Sequence, residues 1–536
     1  MKRLLLLFFL LPLLLHAQEK IEDQWYSLLL QSKAVGYVHQ TTWRTADGLV
    51  RSEIEQTLKI RRFGVPFSLT QKDVWIEEEG AGLISLSSQL DMNGQLQSVE
   101  VRTVDGGLQV QLLRGTGEEQ LFLPLDDEPL GVYSVGQRLR RLITAQGAHK
   151  AQRAHKAQGA HNTENASGDY SAYNGELGYH LFSPESLKVE QIQLRILGHG
   201  ELDDSLGRRY EGVLVEERSS ALPGVVTTAV YSEEGRSLYS RTPVGLALEI
   251  LRLDFDPEAS PKTGRGIDLT DVFDVASLTI PVRRLEVLPQ PLERVHGVTV
   301  AFRGGGAATL REAVQAAEKD LGGGQSAQTR IVSSPGDARR DAEELFVYLE
   351  RRQFQSEPIA SPSNLQPPEV DRYVRGGFHL DLEDPRLAEL LSGCGTGATI
   401  DPAQAICLER LVHEYIEHKS LAYGFAGLKE ILDRKAGDCT EHALLLVALL
   451  RKLAVPSRLA YGLILTEAGF IGHAWVELFT GGKWHWLDPS FPEGRPYGLK
   501  IRLGVMDPGE PVWVRLSLSL FQVVGGVEAE ILDWDR

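Results

Sequence analysis

The stretch AGDCTEHALLL, residues 436–446, places a Gly-Asp-Cys turn directly ahead of a long apolar run. The run continues to about Leu453, a length typical of a helix rather than a strand. Gly437 allows a tight entry and Asp438 can cap the helix, which puts Cys439 in its first turn. Backbone N–H groups and the positive end of the helix dipole stabilise a thiolate there. Cys439 is therefore a candidate nucleophile, although a buried structural cysteine fits the same pattern.

Two further residues bracket a predicted hairpin downstream of this helix. His473 begins the strand-like block GHAWVELF, Asp488 ends the block KWHWLDPS, and a Thr-Gly-Gly turn joins the two blocks. Folding at that turn brings the first residue of one strand close to the last residue of the other. Asp488 can then orient one nitrogen of His473 and leave the other for Cys439. This arrangement predicts a triad of nucleophile, general base and orienting carboxylate.

Other side chains in the same blocks have competing interpretations. His442 lies three residues past Cys439 and is a second candidate base. We favour His473, because Asp488 is available to orient it. Glu441 could line the site, but a solvent-exposed position or a structural hydrogen bond is the favoured interpretation. Tyr423 and Trp475 fit a place near the site and simple packing equally well. Trp484 and Trp486 could shield the triad from water, although a place in the core is favoured.

The three blocks resemble the transglutaminase-like superfamily, whose papain-like fold carries Cys, His and Asp in that order. The matching segments are GDCTEHALLLVALLRKLAVPSRLAYGLIL, GHAWVELF and KWHWLDPS, within roughly residues 378–492. The resemblance implies that Cys439 is the nucleophile, His473 the base and Asp488 the third member. It also fits an exported bacterial protein with a β-rich N-terminal region. No phosphate-binding or calcium-binding loop is recognisable, so neither a cofactor nor a metal is expected.

The N-terminal segment MKRLLLLFFLLPLLLHAQEK, residues 1–20, has a basic start, an apolar run and a small-residue cleavage site. It predicts a secretory signal peptide over residues 1–17, with an uncleaved anchor as the alternative. The run is short for a membrane span, so we expect a secreted or periplasmic chain without stable membrane insertion. The net charge of the 536-residue chain is -17, which does not favour a nucleic-acid partner.

The predicted fold class is α+β in several parts. Turn signals such as those in SVEVRTVDGGLQVQLL, residues 98–113, indicate antiparallel sheets. Residues 307–321 have a helical pattern, whereas residues 341–352 fit either a helix or a strand. The predicted parts are a signal peptide (1–17), a β-rich N-terminal region (18–302), a linker with short elements (303–377) and a catalytic domain of the transglutaminase-like type (378–536).

A repeated insertion interrupts the β-rich region at residues 145–162, AQGAHKAQRAHKAQGAHN. We expect disorder over residues 145–169. The alternative is a metal-binding tract of the three repeat histidines, but no carboxylate or cysteine completes a site. The histidines are His149, His155 and His161, and Asn165 begins a possible glycosylation acceptor.

The chain has three cysteines, and Cys394 and Cys407 lie close enough in sequence to pair in an oxidising compartment. Such a pair would leave Cys439 free. Whether the two form a disulfide stays open at this point, because sequence spacing does not determine the geometry.

The predicted function is that of an exported thiol enzyme acting on amide bonds of proteins or peptides through a thioester. Peptidase or amidase activity and transglutaminase-type acyl transfer both fit, because either water or an amine can accept the acyl group. The backbone N–H of Cys439 is a candidate oxyanion donor. The alternative is a non-catalytic binding or scaffolding protein that works through its β-rich N-terminal region. The oligomeric state is not predicted.

Overall fold

The computed structural model of the chain describes most of the sequence after the predicted signal peptide. The described residues are 19–30, 32–62, 65–80, 82–114, 117–125, 128–157, 175–220, 225–243, 248–253, 279–320, 329–332, 344–351, 368–377, 380–394, 402–420, 426–480, 482–491, 498–508, 523–524 and 526–536. The signal peptide, the glycosylation acceptor at Asn165 and the aromatic candidate Tyr423 lie outside them. Within these ranges, no helix is both long and apolar enough to cross a membrane.

The chain forms 25 strands and six helices in the described ranges. The N-terminal strands are β1 (Glu19–Leu30), β2 (Lys33–Arg44), β3 (Leu49–Arg62), β4 (Val65–Glu78), β5 (Leu83–Met92), β6 (Gln95–Val104), β7 (Gly107–Arg114), β8 (Gly117–Pro124), β9 (Gly175–Ser183), β10 (Lys188–Asp203), β11 (Arg209–Ser219), β12 (Thr227–Tyr231), β13 (Ser237–Thr242) and β14 (Leu248–Leu253). The later strands are β15 (Val282–Arg283), β16 (Gly297–Arg303), β17 (Thr329–Ile331), β18 (Glu344–Glu350), β19 (His418–Lys419), β20 (Ala436–Gly437), β21 (Ser457–Thr466), β22 (Gly469–Thr480), β23 (Lys483–Leu487), β24 (Lys500–Met506) and β25 (Glu528–Asp535). The helices are α1 (Val132–Ala157), α2 (Ala307–Asp320), α3 (Pro385–Leu391), α4 (Pro402–Tyr415), α5 (Leu428–Arg434) and α6 (Cys439–Lys452).

The N-terminal region is one 14-stranded sheet in the order β8-β7-β6-β5-β4-β3-β2-β1-β14-β13-β12-β11-β10-β9. The predicted hairpin of residues 98–113 is present as β6 and β7, where Val101 pairs with Val110. Gly106 in its turn has a φ of 80°, which a glycine adopts without steric cost. The β-rich prediction for this region is therefore confirmed.

Helix α1 packs on this sheet, with Leu139 and Ile143 in one cluster with Ile192 and Leu194. At its start, the buried Glu77 carboxylate accepts hydrogen bonds from the N–H groups of Tyr133 and Ser134, each at 2.8 Å. These bonds satisfy backbone donors that have no partner inside the helix.

The prediction of disorder for the repeated insertion is wrong for residues 145–157, because α1 continues through them. Their Ala, Gln, Lys and Arg residues are strong helix formers. A helix that is already nucleated by packed turns extends through such residues at little cost. The backbones of His149 and His155 belong to this helix, whereas His161 lies outside the described residues.

A second, five-stranded sheet has the order β15-β25-β16-β18-β17 and is covered by α2. Residues 303–351 therefore do not act as the predicted linker, since their described parts supply a helix and two strands of this unit. The ambiguous segment 341–352 contains the strand β18. The flanking Gly-rich runs suggested a linker, but the apolar faces of α2 and β18 are buried in one hydrophobic cluster.

The C-terminal domain, residues 380–508, has helices α3 to α6 and a four-stranded sheet in the order β23-β22-β21-β24. Every residue of α6 from Thr440 to Arg451 is buried. The hydrophobic cluster around α6 includes residues of helices α3, α4 and α5 and of strands β21, β22 and β23. The domain has the predicted α+β architecture.

An ion network ties the C-terminal sheet to α2. The fully buried Glu477 of β22 accepts hydrogen bonds from Arg458 Nε at 2.8 Å, Arg502 Nη1 at 3.0 Å and Trp486 Nε1 at 2.9 Å. Asp320, the last residue of α2, pairs with the same two arginines at 2.5 and 2.8 Å. Burial opposes the ionisation of Asp320, but the two guanidinium charges outweigh it and lower its pKa. Two carboxylates thus balance two buried cations.

We predict that Glu477→Gln destabilises the protein by about 3–5 kcal/mol, because it leaves two buried guanidinium groups with a single carboxylate. The measurement is the urea midpoint of the C-terminal domain, followed by tryptophan fluorescence. The matched control is Asp203→Asn, which removes a carboxylate from an exposed ion pair and should leave the midpoint unchanged. Equal midpoints for the two variants would contradict a structural role for the network.

Candidate functional site

The loop before α6 is held by backbone pairing and by a reciprocal cap. Strand β20 pairs in parallel with β19, so that Gly437 lies opposite Lys419. Asp438 caps α6 and accepts a hydrogen bond from the N–H of Thr440 at 2.9 Å. Glu441 closes the capping box by accepting from the N–H of Asp438 at 2.8 Å. Cys439 is therefore fixed as the first residue of the helix.

Glu441 forms structural hydrogen bonds, which is one of the two roles that the sequence favours for it. It is fully buried and also accepts from the N–H of Ala426 at 2.9 Å. Burial and the neighbouring Asp438 carboxylate raise the pKa of Glu441 well above its usual range. A side chain at Gly437 would collide with it, since an added Cβ would lie 2.3 Å from Glu441 Cβ. The Gly at this position is thus required by the buried carboxyl group.

Cys439 is the cysteine that forms no disulfide. Cys394 and Cys407 form a disulfide that joins the segment after α3 to α4, with their Cα atoms 5.7 Å apart. The Cys439 side chain is half-buried and packs at the edge of the cluster that α6 shares with β22. It therefore stands at the N-terminal end of a helix whose residues from Thr440 to Arg451 are all buried.

His473 lies on β22 and bonds to Asp488, which follows β23. The distance from His473 Nε2 to Asp488 Oδ2 is 2.8 Å, and the exposed fractions of the two side chains are 8% and 0%. Because a carboxylate accepts, Nε2 carries the hydrogen and Nδ1 carries the lone pair of the neutral ring. No hydrogen bond from the described residues occupies Nδ1. A ring in this state can accept a proton at Nδ1.

Asp488 has a second cationic partner that the sequence reasoning missed. Lys500, the first residue of β24, is 1% exposed and its Nζ contacts the same Oδ2 atom. Burial disfavours the ionised form of Asp488, but the charges of Lys500 and His473 and their hydrogen bonds outweigh it and hold its pKa far below the usual range. The signal available in sequence was weak, because a lone lysine ahead of an apolar strand usually faces solvent.

The turn after Asp488 is held by α4. Glu409 Oε1 accepts from the N–H of Asp488 at 2.5 Å, and His413 Nδ1 donates to the carbonyl of Pro489 at 3.0 Å. The N–H of Ser490 donates to Asp488 Oδ1 at 3.2 Å. Oδ1 of Asp488 is thus held by a backbone donor, while Oδ2 contacts His473 and Lys500.

His442 is held in a neutral, buried state, which does not suit a general base. Its Nδ1 lies 2.6 Å from the carbonyl oxygen of Asp438, and its Nε2 lies 3.5 Å from Lys419 Nζ. The carbonyl can only accept, so Nδ1 carries the hydrogen and Nε2 accepts from the ammonium. Burial, chiefly, lowers the pKa of His442 to about 4. The His442 ring therefore has a structural role, in which it links the carbonyl of Asp438 to the ammonium group of Lys419.

The aromatic candidates pack in the interior. Trp475 is fully buried, and its ring centroid lies 5.1 Å from that of Trp486 and 6.2 Å from that of His473. Its Nε1 has no hydrogen-bond partner among the residues that the structure describes. Trp484 is partly buried and stacks under Arg458, whose Cζ lies 3.7 Å from the ring centroid. Packing, which is one of two equal interpretations of Trp475 and the favoured one of Trp484 and Trp486, agrees with this arrangement.

The described residues contain no cluster of three or more His, Cys, Asp or Glu side chains arranged to hold a metal ion. The arrangement that is present combines a half-buried thiol at a helix end with a histidine that a buried carboxylate orients. These are the groups that nucleophilic thiol chemistry uses.

This fold and these side chains define an α+β domain with a candidate thiol site. Residues 388–489 match the family model of the transglutaminase-like superfamily, so this part of the chain is a transglutaminase-like domain. The resemblance inferred from the sequence is thereby confirmed for these residues.

Similarity to other proteins adds little to the assignment of the transglutaminase-like domain. No curated protein matches the chain. A β-barrel-like protein of a domain of unknown function from Brucella abortus is similar at 12% identity and a TM-score of 0.30, covering 44% of this chain and 96% of its own. A "Putative Cysteine Protease" from Cytophaga hutchinsonii is similar at 12% identity and a TM-score of 0.26, covering 45% of this chain and 89% of its own. With TM-scores this low, neither likeness bears on function.

We predict that Gly437→Ala displaces the loop ahead of Cys439, because its Cβ would collide with Glu441. The expected cost is about 1–3 kcal/mol of stability, as for other overpacked sites, together with slower alkylation of Cys439. Thermal unfolding and mass-spectrometric labelling measure the two effects. The control is Gly178→Ala on β9, where an added Cβ meets no atom within 4 Å. A Gly437 variant that behaves like this control would disprove the constraint.

Proposed function

We propose that the chain is a thiol enzyme that acts on amide bonds of proteins or peptides. Cys439 is the nucleophile, His473 the general base and acid, and Asp488 the orienting carboxylate. The observation that carries the proposal is the 2.8 Å bond from His473 Nε2 to Asp488 Oδ2, which leaves Nδ1 with a lone pair. The transglutaminase-like domain at residues 388–489 supports the same assignment.

In the first half-reaction, the proton of Cys439 Sγ moves to Nδ1 of His473, and the thiolate attacks the carbonyl carbon of the amide. The oxyanion that forms is placed to accept from the N–H of Cys439 at the start of α6. The C–N bond then breaks as His473 returns the proton to the leaving amine. The acyl group remains on Sγ as a thioester.

The second half-reaction decides the class of product. Water attacking the thioester yields a carboxylic acid, whereas an amine yields a new amide. In both cases His473 removes a proton from the attacking group and then returns it to the thiolate of Cys439. We favour hydrolysis, because water is the default acceptor in an aqueous compartment outside the cytoplasm.

The proposal includes export, on the basis of the predicted signal peptide of residues 1–17. Expressed with its leader in a host that secretes, the protein should begin at Gln18 in the periplasm or medium, as read by N-terminal sequencing. A product that retains Met1 and pellets with membranes would instead support the uncleaved anchor.

We predict that Cys439 is alkylated rapidly near pH 5.5, about three units below the ordinary thiol pKa of about 8.5. An imidazolium at His473 stabilises the thiolate, so His473→Ala should slow labelling there by about tenfold or more. The measurement is the rate of iodoacetamide labelling at Cys439, followed by mass spectrometry from about pH 4 to 9. The matched control is His418→Ala, which removes an exposed histidine from β19 and should change nothing.

Slow labelling that rises only near the ordinary thiol pKa, and is unchanged in His473→Ala, would reject the triad. The non-catalytic binding protein would then be the better description, with the 14-stranded sheet as its working surface. If labelling behaves as predicted, peptide amides with and without an added primary amine separate hydrolysis from acyl transfer. The acyl mass on Cys439 after acid quenching identifies the thioester.

A further inference from the structure

Lys500 is a buried charged residue that the proposed reaction does not use. It starts β24, pairs in register with Ile464 of β21, and its side chain is fully buried. A lysine without a counter-ion at such a depth would be strongly disfavoured. Its Nζ instead contacts Asp488 Oδ2, the same atom that accepts from His473 Nε2.

The surroundings of Lys500 fix the position of its ammonium group. Nζ lies 5.2 Å from the ring centroid of Trp475 and 5.9 Å from that of Phe491, within the range of cation–π attraction. The Lys500 carbonyl accepts from the buried Thr329 hydroxyl at 2.7 Å, which ties β24 to the five-stranded sheet. The ammonium thus presents a fixed charge to one oxygen of Asp488.

The other charged or titratable groups around Asp488 come from two elements. His473 faces it from β22, while Glu409 of α4 accepts from its backbone N–H and His413 of α4 donates to the next carbonyl. Lys500 is therefore a partner of the carboxylate that takes no part in the proposed proton transfer, whereas His473 gains and loses a proton during it. Together, Lys500 and Asp488 form a neutral pair beside His473.

We propose that Lys500 is a positioning residue of the thiol site, which holds Asp488 ionised and in place so that His473 keeps its Nε2 acceptor in both of its protonation states. This inference rests on the proposed function of the triad. No proton moves to or from Lys500 or Asp488. The proton passes from Cys439 Sγ to His473 Nδ1 and on to the leaving amine.

The consequence concerns the acid side of the pH profile. Burial raises the pKa of Asp488, and the charge of Lys500 is the largest of the effects that lower it. Without Lys500, the effect of burial is opposed by fewer charges, and the pKa of Asp488 rises. The carboxylate is then lost as pH falls, at a higher pH than in the unmodified protein. The acid limb of Cys439 reactivity must therefore move to higher pH.

The test compares Lys500→Met, Lys500→Gln and Lys500→Arg by the rate of iodoacetamide labelling at Cys439 from about pH 4 to 9. We expect the acid limb of the labelling profile to move up by about one pH unit in the Met and Gln variants. On that limb, labelling at a given pH should then be about tenfold slower. The Gln variant keeps a hydrogen-bond donor for Asp488, so it tests the charge even where the Met variant does not fold. Lys500→Arg retains a cation and should return the limb to its original position. Lys483→Met, an exposed lysine on β23, is the neutral control.

Thermal unfolding of each variant separates positioning from stability. A lower melting temperature with the acid limb unmoved would overturn the proposal and leave Lys500 a purely structural residue. An arginine variant whose limb moves as far as that of the glutamine variant would overturn it as well. Failure of the triad itself would appear differently, as a labelling profile that His473→Ala does not change. If the proposal is right, the same Lys500 substitutions made in a His473→Ala background should leave the acid limb of Cys439 labelling unchanged, because they act through His473.

Discussion

The structure depends on one constraint, which is that α6 is buried on all sides from Thr440 to Arg451. A helix that is buried all round needs cover on every face, and three helices and the C-terminal sheet provide it. Its first residue is Cys439, which is half-buried. The same packing that stabilises the domain therefore sets a thiol at a helix end beside the strand that bears His473.

The C-terminal sheet also buries charges, and it balances them in two groups. Arg458 and Arg502 share Glu477 and Asp320, while Lys500 and His473 share Asp488. Asp320 belongs to α2, so the charge balance of the C-terminal sheet is completed by a different unit of the fold. The transglutaminase-like domain and the five-stranded unit are thus linked by electrostatics as well as by a shared hydrophobic cluster.

The sequence predicted well those features that local patterns determine. Cys439 follows a cap and precedes an apolar helix, and the hairpin between His473 and Asp488 is marked by its Gly-Gly turn, so their surroundings could be placed in advance. Lys500 could not, because its partner lies across the sheet on a strand order that sequence does not specify. The five-stranded unit was missed for a similar reason. Its second strand, β25, comes from residues 528–535, so residues 303–351 alone do not reveal a sheet.

The place of β25 has a consequence for the order in which the chain can fold. This strand lies between β15 and β16, yet the ribosome makes it after the whole transglutaminase-like domain. Until it arrives, β16 exposes an unpaired edge with apolar residues such as Val298 and Phe302, which are fully buried once β25 is in place. A nascent chain must therefore carry this unpaired edge while residues 304–527 are synthesised. During that time, edge-to-edge association with other chains competes with folding.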